Sequence, residues 1–220
     1  KFKMVFESTT ERAKLREMAP HLTRPQAFML PVYKGDKYPL FVMDMGVWLY
    51  DTLSLFSSYK LHKAFKKAAI KEKCEKLKAD NLKGGVVFYD YRTDDARLTL
   101  EMALTAELAG AEVLNYSKVE EFLRGPNQRI TGVKYQCLRS GEAKEATASI
   151  VLCCAGVWTD KLHRSALAHS KDLIRATKGV HIVFKKEDFP VDYAVTLRSP
   201  RDGRVTFIIP WETTTVVGTT

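Results

Sequence analysis

The run Ile150-Val151-Leu152-Cys153-Cys154 is wholly apolar and ends on Ala155-Gly156, after which Val157 to Leu167 carries a helical pattern with Thr159 and Asp160 in its first turn. A strand with one solvated face alternates apolar and polar residues. A strand apolar on both faces belongs inside a covered sheet, the situation produced by helices packed on either side of parallel strands. The run therefore predicts an α/β chain in which Thr147 to Cys154 is a mid-sheet strand, reached from Ile130 to Leu138 through a hairpin at Ser140-Gly141-Glu142. Small residues at the Ala155-Gly156 junction would let a ligand approach the backbone at the carboxyl edge of that sheet. Strand-Gly-helix turns of this kind also serve packing alone, so both uses stand open.

The unit just upstream has the clearest punctuation. Thr93, Asp94 and Asp95 offer an N-cap, Leu98, Met102, Leu104 and Leu108 mark a helix, Gly110 takes the C′ position, and Glu112 to Tyr116 predicts a strand. Towards the amino end, Phe2 to Met18 predicts an amphipathic helix stopped before Pro20, followed by an extended segment with Pro25, Pro31 and Pro39. Leu40 to Phe56 is the most apolar stretch. Its 17 residues include Asp44 and Asp51, whereas a bilayer span needs about 20 with almost no charge, so a buried or interfacial helix is expected. Lys60 to Asp80 predicts a highly charged helix, and Gly84-Gly85 opens a short strand, Val86 to Tyr89.

Beyond Gly179 the character is antiparallel. Val180 to Phe184, Tyr193 to Leu197, Arg204 to Trp211 and Thr215 onward are short strands separated by turn residues, including Pro200-Arg201-Asp202-Gly203, and predict a meander. The fold class expected is thus mixed α/β.

The formal net charge of +9 is concentrated between Lys60 and Lys83 and is not interleaved with stacking aromatics, which argues against nucleic acid and leaves a solvated face or an anionic membrane surface as its role. The four cysteines have no CxxC spacing, which fits a reduced, cytoplasmic setting and no metal. No GxGxxG motif occurs, so the usual pyrophosphate cradle is not among these residues. Both ends of the chain run in mid-element, which reads as an interior piece of a larger protein.

His181 sits in a predicted strand, two residues after Gly179 and three after Lys178, a setting that lets an anionic ligand come close and puts imidazole where a proton acceptor is useful. A satisfied structural histidine is the competing reading. His21, His62, His163 and His169 have no such setting. Trp158 and Trp211 suit either cofactor stacking or the core, and Asp94-Asp95 suit a helix cap better than a metal.

Met18-Ala19-Pro20-His21-Leu22, Thr93-Asp94-Asp95-Ala96-Arg97-Leu98, Ala155-Gly156-Val157-Trp158-Thr159-Asp160, Thr177-Lys178-Gly179-Val180-His181, and Phe207-Ile208-Ile209-Pro210-Trp211 followed by Val217-Gly218-Thr219-Thr220 occur in this order. Together they resemble the central part of the FAD-dependent glycerol-3-phosphate dehydrogenases and glycerophosphate oxidases, over nearly the whole chain. Val157 departs from the family pattern, which more often has proline there.

The resemblance implies a D-amino-acid-oxidase-like flavoprotein. Part of a doubly wound FAD-binding domain (93–168) would interleave with a substrate-cap domain made of 1–92, with helices, and the antiparallel sheet of 169–220. It implies oxidation of glycerol 3-phosphate to dihydroxyacetone phosphate, with hydride passing to FAD and electrons then to quinone or oxygen. Ala155, Gly156 and Trp158 would lie beside the flavin nucleotide, and Lys118 and Val119 near its adenosine part. Lys178, Gly179 and His181 would meet substrate, with His181 facing its hydroxyl as a hydrogen-bond partner or base. The family's Gly-rich loop and its phosphate-binding C-terminal third are not among these residues, so the piece is expected to be inactive alone. The setting implied is cytoplasmic or peripheral on the inner membrane. Another amine or hydroxy-acid oxidase of the same fold, or a non-catalytic docking module, remains as an alternative.

Overall fold

A computed structural model of the chain describes residues 2–55, 58–167, 171–199 and 203–219. They divide into two compact units, one formed by Lys1–Leu100 with Gly179–Thr220 and the other by Glu101–Lys178. The cut falls inside a helix, Asp95–Leu108, a few residues beyond the boundary expected at 92/93.

The first unit is built on a seven-stranded sheet. Its elements in chain order are α1 (Phe2–Met18), β1 (Arg24–Tyr33), α2 (Leu40–Leu53), β2 (Lys63–Lys66), α3 (Lys67–Lys73) and β3 (Leu82–Arg92), with α4 (Asp95–Leu108) beginning after it. The returning chain supplies β7 (Val180–Lys185), β8 (Ala194–Arg198), β9 (Val205–Trp211) and β10 (Thr214–Thr219). The strand order is β2-β3-β1-β8-β9-β10-β7, antiparallel except where β1 runs parallel to β8. The expected meander is present, and β1 and β8 join it to the amino-terminal strands. The first three residues of the expected turn at Pro200 lie outside the described residues.

Cross-strand partners share a face, so the register divides the sheet cleanly. Ala27, Met29, Val87, Val195 and Ile208 point to one side, where Ile70 of α3 and Cys74 and Leu77 just after it close the core. Phe28, Phe88, Thr196, Phe207, Gly218 and His181 fall on the opposite side through the pairs Phe28–Phe88, Thr196–Phe207, Phe207–Gly218 and Gly218–His181. Tyr50 of α2 packs on this second face, its ring 6.0 Å from Phe88.

Lys60 to Asp80 is not one helix. Lys63–Lys66 pairs with Gly84–Val87 as an edge strand, because Phe65 reaches the core, and helix is confined to α3. The exposed lysines of β2 suit an edge, where charge discourages further strand addition. Strand β3 starts at Leu82 and runs through both glycines. An added Cβ on Gly84 would stand 2.3 Å from the Phe65 carbonyl oxygen, an approach only glycine allows.

The second unit holds most of α4, then β4 (Ser117–Arg124), β5 (Ile130–Cys137) and β6 (Ala143–Thr147) as an antiparallel three-stranded sheet, and α5 (Thr159–Ala166). The caps of α4 form as expected, with the Asp94 carboxylate accepting from the Arg97 amide at 3.0 Å and Gly110 at φ +92. The hairpin at Ser140 also forms. Two expected strands do not: Glu112 to Tyr116 is irregular, and β6 ends at Thr147, leaving Ile150 to Cys154 irregular with Leu152 81 % exposed. Neither segment has a neighbouring strand among the described residues, and an unpaired strand leaves its N–H and C=O groups without ladder partners.

Candidate functional site

His181 lies in β7, at the edge of the seven-stranded sheet, directly opposite Gly218 of β10. Its imidazole lies across that glycine, since a Cβ built on Gly218 would stand 2.2 Å from His181 Cδ2. Gly218 in turn faces Phe207 of β9. Across three strands His181, Gly218 and Phe207 therefore share one face of the sheet, with the imidazole lying over the glycine backbone and the Phe207 ring on the far side of it. Phe207 also meets Phe28 edge to face at 6.5 Å, and Phe28 stacks on Phe88 at 5.5 Å.

The same aromatic rings belong to a cleft of about 550 Å³ beneath α2, walled by Phe28, Phe88, Val47, Phe207 and Ile209, with Tyr50 and Asp90 as its polar groups. Arg12 of α1 holds that polar end. Its Nη1 donates to Asp90 Oδ1 at 2.9 Å and to the Tyr50 hydroxyl at 2.6 Å, and its guanidinium lies over the rings of Tyr50 and Tyr91. Burial raises the Tyr50 hydroxyl pKa above its ordinary value, and the neighbouring Asp90 carboxylate adds to that, so Tyr50 is a neutral donor here. An exposed imidazole on the same sheet face as an apolar cleft with a phenol can take a proton from a small molecule bound on that face.

Gly179 precedes β7 in the same unit as His181. Lys178 is the last residue of the second unit. Lys118 and Val119 lie in β4, where Lys118 is ion-paired with Glu120 at 3.1 Å and Val119 pairs with Tyr135. Ala155, Gly156 and Trp158 form the turn leading into α5. Gly156 sits at φ +53 with nothing within 4 Å of an added Cβ, and Val157 and Trp158 beside it are 60 % and 69 % exposed. An open glycine turn flanked by uncovered apolar side chains fits one wall of a flat aromatic cofactor such as FAD.

Several groups escaped the sequence reading. Arg12, Tyr50 and Asp90 meet across 38 and 78 residues, for which no local pattern gives warning. His62 is buried between two carboxylates, Nδ1 at 2.7 Å from Asp51 and Nε2 at 3.2 Å from Asp44. That group did have a signal, since Asp44 and Asp51 are seven residues apart and so share a face of α2. Trp211 is half-buried at the end of β9, with the Arg92 guanidinium over its ring at 4.9 Å. Among the described residues no cluster of His, Cys, Asp and Glu suits a metal, and no helix is long and apolar enough to cross a membrane.

The model of the family described as DAO, FAD dependent oxidoreductase, matches residues 1–220. The aerobic glycerol-3-phosphate dehydrogenase of Staphylococcus haemolyticus is 38 % identical over 218 residues, which is 99 % of this chain and 39 % of that protein. The homologue from Staphylococcus epidermidis is 37 % identical over 217 residues, with the same coverage. Among solved structures, glycerol-3-phosphate dehydrogenase from Bacillus halodurans, complexed with FAD, superposes with a TM-score of 0.74 at 32 % identity, over 96 % of this chain and 37 % of that one. L-proline dehydrogenase from P. horikoshii shares the fold, with a TM-score of 0.73 at 16 % identity over 97 % of this chain and 54 % of that one. The chain spans about 39 % of the length of the curated relatives it matches.

Proposed function

Because the chain belongs to the FAD dependent oxidoreductase family, we propose that the protein containing it oxidises sn-glycerol 3-phosphate to dihydroxyacetone phosphate. The observation that carries the reading is the exposed imidazole of His181, held over a glycine on the sheet face that also bears the cleft beneath α2. The 38 % identity to an aerobic glycerol-3-phosphate dehydrogenase supports the substrate.

In this reading the substrate's secondary hydroxyl lies against His181, which accepts its proton as the carbon becomes a carbonyl. Gly179 keeps the backbone beside the imidazole low, and the Lys178 ammonium attracts the phosphate dianion. FAD, when bound, supplies the two-electron acceptor chemistry. For this chain, Ala155, Gly156 and Trp158 would hold one side of it at the open turn before α5, and Lys118 and Val119 would meet its adenosine end. The electrons then pass to quinone or to oxygen, and the basic stretch from Lys60 to Lys83 docks the protein peripherally on an anionic inner membrane. The assignment of 1–92 and 169–220 to a substrate cap and of 93–168 to the FAD domain is part of the same reading.

The test is direct. Purified full-length protein should carry flavin absorbance that bleaches on adding glycerol 3-phosphate, and a colourless or unresponsive protein ends the reading. His181→Ala and His181→Asn should lower turnover by about two to four orders of magnitude with flavin content unchanged. Turnover like that of the wild type would return His181 to a structural role.

A further inference from the structure

Strand β3 sends different side chains to its two faces. Phe88 and Asp90 line the cleft beneath α2, whereas Val87 and Tyr89 belong to the opposite face, where Val87 joins the core closed by Ile70. Lys63 of β2 stands directly across from Val87 and so shares that reverse face. A second cleft, of about 240 Å³, opens there, and Lys60, Lys63 and Lys73 line it together with Phe65, Tyr89 and Tyr193. Among the described residues that line it none is acidic.

A surface lysine is ordinarily either paired with a carboxylate or left to sample its rotamers in water. Neither holds for two of these three. The Lys60 ammonium lies over the rings of Tyr59 and Tyr89, 5.3 and 5.9 Å from their centroids, and the Lys73 ammonium over Phe65 and Tyr193 at 5.0 and 5.8 Å. The rings fix both cations without neutralising them, because a ring quadrupole carries no net charge. None of the three lysines is ion-paired among the described residues. Like charges gathered at one cleft repel each other, and the repulsion is relieved when an anion enters among them. Lys60 and Lys63 are exposed and Lys73 is half-buried, so the cleft is open to solvent.

Such a cleft suits a compact anion with more than one charge. It is smaller than the roughly 300 Å³ at which pockets for drug-sized ligands begin, so it has room for a charged group and not for a whole nucleotide. A carboxylate brings a single negative charge, a phosphate monoester nearly two and a diphosphate more, and lysine serves phosphate as a point charge without the planar fork that arginine offers to carboxylates. The hydroxyls of Tyr89 and Tyr193 have no hydrogen-bond partner among the described residues and can donate as well. We propose that the cleft at Lys60, Lys63 and Lys73 binds the phosphate or diphosphate group of a soluble molecule, on the face of the sheet turned away from His181. The site is separate from that of the substrate in the proposed reaction and does not depend on it. Of the basic stretch it uses three lysines, and it leaves the exposed Lys66, Lys67, Lys76 and Lys78 to the docking put forward above.

The experiment is acetylation of lysines by an N-hydroxysuccinimide ester, mapped peptide by peptide on full-length protein with its flavin bound, in phosphate, pyrophosphate or sodium chloride at matched ionic strength. Pyrophosphate at a few times its dissociation constant should slow the reaction of Lys60, Lys63 and Lys73 about fivefold, as mass action requires, and leave Lys3 and Lys186 unchanged. Inorganic phosphate should do the same at higher concentration. Lys60→Gln with Lys73→Gln should abolish the protection of Lys63, and a flavin spectrum like that of the wild type shows that this variant is folded. Lys63→Gln, on the exposed edge strand, should weaken the protection of Lys60 and Lys73 severalfold. Equal protection by chloride would be screening alone and overturns the site. So does protection of Lys63 that survives in the double variant, and so does protection by phosphatidylglycerol vesicles with none by pyrophosphate. Lysines already unreactive before any anion is added also overturn it, because another part of the polypeptide then fills the cleft. Bleaching of the flavin by glycerol 3-phosphate, measured on the same sample, tests the proposed reaction separately, and its failure leaves the lysine site standing.

Discussion

The imidazole of His181 rests on the backbone of Gly218, so close that a β-carbon there would stand 2.2 Å from Cδ2 and 2.9 Å from the Val180 carbonyl oxygen. Only a residue with no side chain can face His181 in this register. Gly218→Ala should therefore push the ring off the strand, at a cost of about 1–3 kcal/mol in stability. If His181 is the base, the full-length enzyme should lose about 10- to 100-fold in turnover while retaining its flavin, since displacement of a reacting group by about an ångström costs on that order. Steady-state kinetics beside the flavin spectrum checks this. An alanine variant with unchanged turnover would mean that the position of His181 does not matter to the chemistry.

Arg12 joins α1 to both α2 and β3 through one nitrogen, donating to Tyr50 and to Asp90. Its side chain is largely buried while Asp90 is about one-third exposed, so the pair is only partly screened by water. Arg12→Leu should destabilise the fold by about 2–4 kcal/mol, because it leaves the Asp90 carboxylate beside Tyr50 without its cation. Arg12→Leu combined with Asp90→Asn should recover part of that loss. Chemical denaturation of the three variants provides the cycle, and simple additivity would show that the contact carries little coupling.

What was readable from the residues follows a physical division. Helices α1, α2 and α4 and the strands of the meander carry their own signals in Pro20, in the Asp94 cap and Gly110 of α4, and in alternating β-branched residues, because their boundaries depend on local backbone chemistry. Lys63–Lys66 could not be read as a strand, since its partner Gly84–Val87 decides it and nothing in four lysine-rich residues announces that pairing. Ile150 to Cys154 erred the other way. Its composition suits a buried strand, but a strand is a relation between two segments, and no partner for it lies among the described residues. In the candidate site, His181 was legible from its neighbours Lys178 and Gly179. Gly218 and Phe207 were not, because they are joined to it only by sheet register.

The start of α5 is tied to the segment before β7 by one carboxylate. Asp160 Oδ1 accepts from the Leu173 amide at 2.8 Å and Oδ2 from the Ile174 amide at 3.0 Å. The Leu173 bond is the main cause that holds the Asp160 pKa below the ordinary carboxylate value. A depressed folded-state pKa means that the tether is at full strength above the ordinary carboxylate range and is lost as pH falls through the folded value. Asp160→Asn should mimic the acid state at neutral pH, with faster hydrogen exchange at Leu173 and Ile174 and little change in β5. Unaltered exchange at those two amides would show that the carboxylate does not restrain the segment.

Cys137, at the end of β5, has a thiol whose surroundings favour its ionised form. The side chain of Ser140 and the backbone amides of Ser140 and Arg139 stabilise the thiolate and bring its pKa from 9.0 down to about 7. Half of it is then ionised near neutrality, and since a thiolate loses only part of its intrinsic nucleophilicity as its pKa falls, the net effect at pH 7 is faster reaction. Iodoacetamide labelling followed by peptide mapping should give a rate at Cys137 that rises to half its maximum near pH 7. Ser140→Ala removes the largest of the stabilising interactions, so the midpoint should move upward and the rate at pH 7 should fall severalfold. The reaction at high pH, where the thiol is ionised in both proteins, should be slightly faster in the variant because its thiolate is the more basic. A midpoint that stays put on losing the Ser140 hydroxyl would assign the shift to the turn backbone alone.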